Sequence, residues 1–273
     1  MNMLLEKDRN NQRLRGIIFG FIIVMIMAFA TPVRDAEAEV PADAVFHDAH
    51  FHLTNYVQQG TDIKDFVDMM GTKIGRSTVF GIPLQQQWSY SNTGDWAPVY
   101  YLQTDAPLYY YSYTDAHIAM AYQSLTEEDQ ARLDPMITGF NPTDMYAADH
   151  IRRVLKDFPG VFSGIGEFTI HKEFVSSKVA GEIASLTNPA LDKIFDLAGE
   201  AGLVVILHND IDMQSRPDEE PYILHQMKAL FARHPDTTII WAHMGVGRIV
   251  RPHKEQAAII EKICTDPELQ HVY

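Results

Sequence analysis

The sequence predicts an α/β chain of the (β/α)₈ barrel type. Three observations carry that prediction. Short apolar runs alternate with amphipathic helical stretches, as a βα repeat building a parallel sheet requires. The helical stretches carry their own start and stop residues. Histidines recur at the C-terminal ends of separate apolar runs, and in a barrel those ends converge on one face, where functional residues gather whatever their distance in sequence.

Residues 1–38 stand apart from this pattern. Lys7, Arg9, Arg13 and Arg15 precede the uncharged run GIIFGFIIVMIMAFA, and an A-E-A triplet ends at Ala38. Basic start, apolar run and small-residue site together are the grammar of a secretory signal peptide. The run has 15 residues, fewer than the 18 or more expected of a membrane span. Export, to the periplasm, is the expectation; an uncleaved anchor in the inner membrane is the alternative.

Residues 39–273 then form the expected barrel domain. Its strands are expected at AVFHDAHFHL (44–53), RSTVFGIPL (76–84), DPMITGF (134–140), VFSGIGEF (161–168), LVVILH (203–208) and TTIIWAH (237–243), with HVY (271–273) opening a seventh. Of the helices, TNPALDKIFDLAGEAG has Asn188 as N-cap, Pro189 in the first position, an apolar stripe of Leu191, Ile194, Phe195 and Ala198, and Gly202 as terminator. NPTDMYAADHIRRVLKDFPG repeats the arrangement from Asn141 and Pro142, with Ile151, Val154, Leu155 and Phe158 facing inward. The segment 85–116 breaks the rhythm with two tryptophans and seven tyrosines. A connection this long reads as a ligand-covering loop or as an insertion packed over the barrel mouth. Six strands and the start of a seventh fall short of eight, so the barrel is expected to be incomplete at its C-terminal side.

Composition narrows the function classes. The chain has 273 residues, 46% of them hydrophobic and 21% charged, with a net charge of −14. Without residues 1–38, which hold five basic and four acidic residues, the charge is −15. Such a surface repels polyanions, so nucleic acid is not an expected partner, and a small-molecule substrate is. Once the leader is cleaved, no stable membrane association is expected. Cys264 is the only cysteine, so no intramolecular disulfide can form.

The chemistry lies in the strand-end residues. On a strand, i and i+2 share a face, so His50 and His52 project together while Phe51 points away into packing. An H-x-H pair alone is weak evidence, and a lone buried histidine is more often a hydrogen-bonded core residue. However, His208 ends VVILH and His243 ends TIIWAH, each at another strand's C-terminal end. Glu167, in GIGEF, adds a carboxylate that would need a cation or strong donors if buried; an N-cap or an arginine partner are its plainer readings. Nitrogen and oxygen donors of this kind suit a divalent metal, with Zn²⁺ the first expectation and Mn²⁺, Fe²⁺ and Co²⁺ compatible by ligand type. Arg248 is a candidate for holding a substrate carboxylate, and equally a surface charge. His171 and Lys172 follow Glu167 closely enough to line the same mouth.

D-A-H-F-H at 48–52, GIGEF at 164–168, the histidine ending LVVILH and H-M-G at 243–245 resemble the metal-dependent amidohydrolase superfamily, most closely its amidohydrolase-related branch of decarboxylases, lactonases and other hydrolases. The resemblance implies that His50 and His52 are first-strand metal ligands, that His208 and His243 are the fifth- and sixth-strand ligands, and that Glu167 holds the fourth-strand position that bridges the ions of two-metal members. It also implies an aspartate after an eighth strand that takes a proton from water. The sequence reaches Tyr273, where the seventh strand begins, so no catalytic base is assigned among these residues. The function expected from the resemblance is metal-dependent hydrolysis of a small-molecule ester, lactone or amide, with one or two ions. The alternatives are a decarboxylase or hydro-lyase on the same scaffold, and a vestigial metal-binding protein.

Overall fold

Six strands pair in parallel and in chain order, each followed by helix. The computed structural model describes residues 40–55, 59–82, 111–172, 175–176, 178–179, 182–183, 185–211, 221–246 and 255–273. Its elements are β1 (Phe46–His52), α1 (Ile63–Met70), β2 (Ile74–Phe80), α2 (Tyr111–Gln123), α3 (Glu127–Gln130), β3 (Leu133–Ile137), α4 (Ala147–Asp157), β4 (Gly164–Lys172), β5 (Val175–Ser176), β6 (Lys178–Val179), β7 (Glu182–Ile183), α5 (Pro189–Ala201), β8 (Val204–Asn209), α6 (Tyr222–Ala232), β9 (Ile239–Trp241) and α7 (Gln256–Thr265). The sheet order is β1-β2-β3-β4-β8-β9. This is the strand succession of a (β/α)₈ barrel read from its first strand. Beyond β9, Val272 bridges Ile239 in parallel and the Tyr273 N–H donates to the Ile239 carbonyl, so HVY pairs alongside β9 through a single bridge.

Alternation along each strand divides the apolar residues into two cores. Outward-facing Val79, Ile137, Ile165 and Leu207 pack with helix residues such as Ile151 and Ile194, all fully buried. Burial of one such side chain contributes about 1.5–3 kcal/mol. Inward-facing Phe80, Met136, Ile206 and Ala242 form a smaller cluster inside the curl of the sheet. Nearer the strands' N-terminal ends, the Arg76 guanidinium donates two hydrogen bonds to Asp134, tying β2 to β3. Phe51 points outward as its parity requires, stacking on Phe66 of α1 with ring centroids 3.9 Å apart.

The helix punctuation holds best for α5. Asn188 accepts from the Ala190 N–H, Pro189 takes the first helical position, and Gly202 ends the helix at φ 66°, where a side chain would be strained. The α4 helix starts later than expected. Asn141 Oδ1 accepts from Thr143 and Asp144 Oδ1 from the Tyr146 N–H, so two side-chain turns occupy 141–146 and helix begins at Ala147. β4 runs on to Lys172 and turns back through β5, a hairpin for which no apolar run gave warning. Of the aromatic segment, residues 85–110 lie outside the described residues, as do 1–38, while 111–116 open α2. There Asp115 is 3% exposed and accepts from the Thr138 and Gly139 N–H groups, tying α2 to the end of β3. Burial pushes its pKa up to about 7 against the pull of those two donors. His234 is 6% exposed, between Asp196 at 3.0 Å and Asp192 at 2.9 Å. Among the described residues no helix is long and apolar enough to cross a membrane.

Candidate metal centre

β1 delivers the first pair. His50 and His52 share its inner face, and their Nε2 atoms lie 3.3 Å apart. Both rings stand edge-on to Phe80, with centroids 5.2 and 4.7 Å away, so the inner apolar layer is the floor under them.

Glu167 reaches the same space only because β4 is irregular. Strict alternation with Ile165 facing outward would send Glu167 outward too. The register with β8 shifts between Gly166 and Phe168, and that bulge turns Glu167 inward while Phe168 packs outward against Phe195. The bulge depends on Gly166. Its φ is +115°, and a Cβ there would lie 2.2 Å from the Ile206 carbonyl oxygen. Gly166→Ala is therefore expected to destabilise the fold by at least about 2 kcal/mol and to displace Glu167. A urea-unfolding midpoint equal to wild type would contradict this account of the bulge.

His208, on the inward row with Ile206, is 3% exposed and places Nδ1 2.7 Å from Glu167 Oε1. Its Nε2 lies 2.9 Å from Asp210 Oδ1. His243 is not on a strand, contrary to expectation: β9 ends at Trp241, and His243 sits in the following tight turn at φ 57°. From there its Nε2 comes 3.1 Å from Glu167 Oε1. The indole N–H of Trp241 donates to the Asn209 carbonyl at 2.9 Å, holding this turn against the end of β8.

Glu167 thus joins two triads. Oε2 faces His50 at 3.3 Å and His52 at 3.2 Å, while Oε1 faces His208 and His243. Burial opposes charge on Glu167, which is 4% exposed, but the four imidazoles outweigh it and hold the carboxyl well below its usual range. Burial likewise disfavours the His208 cation, yet Asp210 and Glu167 win and push its pKa up to about 9. Surroundings that draw a proton to His208 Nδ1 also suit a divalent cation there.

His50, His52 and Glu167 fit a metal by a geometric test. The three separations among His50 Nε2, His52 Nε2 and Glu167 Oε2 are 3.3, 3.3 and 3.2 Å. Ligands about 2.0–2.1 Å from a tetrahedral ion stand about 3.3–3.4 Å apart, so this near-equilateral triangle matches one face of such a site. The side chains of His50, His52 and His243 are 26%, 29% and 40% exposed, which leaves the centre open on their side.

The remaining expected residues are placed less fully. His171 and Lys172 close β4, where their backbones pair with Ser176 and Val175. Arg248 lies outside the described residues. Asp210 was missed, although its position two residues after His208, on the same side of the extended chain, was the available signal.

A model of the amidohydrolase family matches residues 47–265. No curated protein matches the chain in sequence. Among solved structures it is similar to a probable 2-pyrone-4,6-dicarboxylic acid hydrolase of Acinetobacter baumannii, at 12% identity and TM-score 0.39 over 83% of this chain and 63% of that one. It is also similar to 5-carboxyvanillate decarboxylase of Sphingomonas paucimobilis, at 19% identity and TM-score 0.33 over 50% of this chain and 41% of that one. Dihydroorotase of Campylobacter jejuni aligns at 12% identity and TM-score 0.39 over 72% of this chain and 47% of that one. The chain therefore spans less than two thirds of the length of each of these three.

Proposed function

The chain belongs to the amidohydrolase family, and on that premise we propose that it is a metal-dependent hydrolase of a small-molecule ester, lactone or amide. The observation that carries the proposal is the convergence of four imidazole nitrogens on the two oxygens of one buried carboxylate. His50, His52 and Glu167 Oε2 would hold one divalent ion, and His208, His243 and Glu167 Oε1 a second, with Zn²⁺ the proposed metal. A cation held there supplies Lewis acidity, polarising a carbonyl and acidifying water.

The protein's own groups do the rest. Glu167 carries the negative charge that balances the cations, and its burial keeps competing water from that side. Phe80 and the inner apolar layer fix the His50 and His52 rings from below. The open side, between His50, His52 and His243, is where a substrate would enter. With the basic start and apolar run of residues 1–38, export to the periplasm is part of the same proposal.

The test is the fate of solvent oxygen. The zinc-loaded full chain, offered a panel of esters, lactones, amides and aromatic carboxylates in ¹⁸O-labelled water, is expected to place one labelled oxygen in a product carboxylate. Release of CO₂ without label incorporation would replace hydrolysis by decarboxylation. Tight metal binding with no turnover across the panel would make the protein a metal-binding one.

A further inference from the structure

We propose that Asp210 is a positioning residue whose carboxylate selects the His208 tautomer protonated on Nε2, leaving the Nδ1 lone pair facing the half of the centre shared with Glu167 Oε1 and His243. The inference rests on the metal-centre reading above and assigns a role that no part of that reading requires.

The geometry is specific. Asp210 is 1% exposed and His208 3%, and Oδ1 stands 2.9 Å from Nε2. Both ring nitrogens face carboxylate oxygens, which only accept, and a neutral imidazole carries just one N–H; with a cation on the Glu167 side, that one N–H is on Nε2 and donates to Asp210. Nδ1 is then a lone pair aimed at a carboxylate oxygen 2.7 Å away. Two acceptors at that distance repel unless a cation lies with them, so the partner at Nε2 prepares Nδ1 as a ligand. Histidines that bind metals commonly carry such a carboxylate on their other nitrogen, which orients the ring and raises its basicity.

Asp210 is itself held from both sides. The preceding carbonyl, of Asn209, accepts from the Trp241 indole, and the following N–H, of Ile211, donates to the Gly245 carbonyl. Both bonds run to the segment that carries His243. One short stretch, 209–211, therefore sets the ring of His208 and the position of the His243 turn together. His52 of the other triad lacks this support: among the described residues its Nδ1 is buried with no hydrogen-bond partner. The two half-sites are thus unequal, and Asp210 serves only one of them.

The test is a zinc titration of chelator-stripped full chain against a competing chelator, comparing wild type with the near-isosteric Asp210→Asn. The expected result is a Kd raised roughly ten- to hundredfold for one binding step and unchanged within about twofold for the other. A variant that melts lower without zinc but binds both ions as wild type does would overturn the proposal in favour of a purely structural aspartate. Wild type that binds no zinc would instead sink the metal-centre reading beneath it. Independently of any Asp210 variant, ¹⁵N-histidine NMR of the zinc-loaded wild type, with the His208 signals assigned through His208→Gln, should show Nε2 protonated and Nδ1 without a proton. A proton on Nδ1 would overturn the assignment.

Discussion

Glu167→Gln is expected to lower the metal content of the purified chain from two ions toward one and to abolish turnover while the fold persists. Gln matches the carboxylate in shape, so the bulge and the packing of Phe168 need not change. What changes is charge and acceptor count. The amide keeps one acceptor oxygen and turns two N–H donors toward the other triad, where imidazole lone pairs and a cation would now meet a donor instead of an anion. Losing a bridging ligand should weaken that half-site by more than the roughly 10- to 100-fold that follows loss of an outer partner. Elemental analysis after mild dialysis measures the stoichiometry, and a thermal melt checks the fold. Unchanged metal content with normal melting would return Glu167 to a structural role.

A double variant, His50→Ala with His208→Ala, is expected to leave the chain essentially metal-free, because it removes one nitrogen from each triad. The two changes differ in their effect on stability. The His50 side chain is 26% exposed, so its loss costs little, whereas His208 is buried and its removal leaves a cavity and takes one donor from Asp210. About 2–4 kcal/mol of destabilisation is expected from the second change alone. Measuring both single variants separates loss of ligand from loss of fold, since His50→Ala should lower metal content at near wild-type stability. A full metal complement in the double variant would refute the ligand assignment.

Much of this architecture is legible in the sequence because strands buried on both faces must be apolar runs. VVILH and TIIWAH announce themselves in that way, and Asn188-Pro189 with Gly202 brackets α5 through local backbone chemistry alone. The i, i+2 rule likewise places His50 and His52 on one face with Phe51 on the other. The missed features depend on tertiary geometry. Period-two reasoning cannot foresee the Gly166–Glu167 bulge, which needs the Ile206 carbonyl nearby to explain why only glycine fits. The turn that carries His243 follows a strand shorter than its apolar run, because His243 and Met244 leave the extended conformation at φ 57° and 53°. Asp210 stands out only once its burial beside His208 is seen.

Diffraction from crystals of the zinc-loaded full chain, recorded at the zinc absorption edge, tests the central claim most directly. The account predicts an anomalous peak about 2.0–2.2 Å from His50 Nε2, His52 Nε2 and Glu167 Oε2, with a second near His208 Nδ1, His243 Nε2 and Glu167 Oε1. Zinc at full occupancy on other residues, with no peak at these atoms, would contradict it.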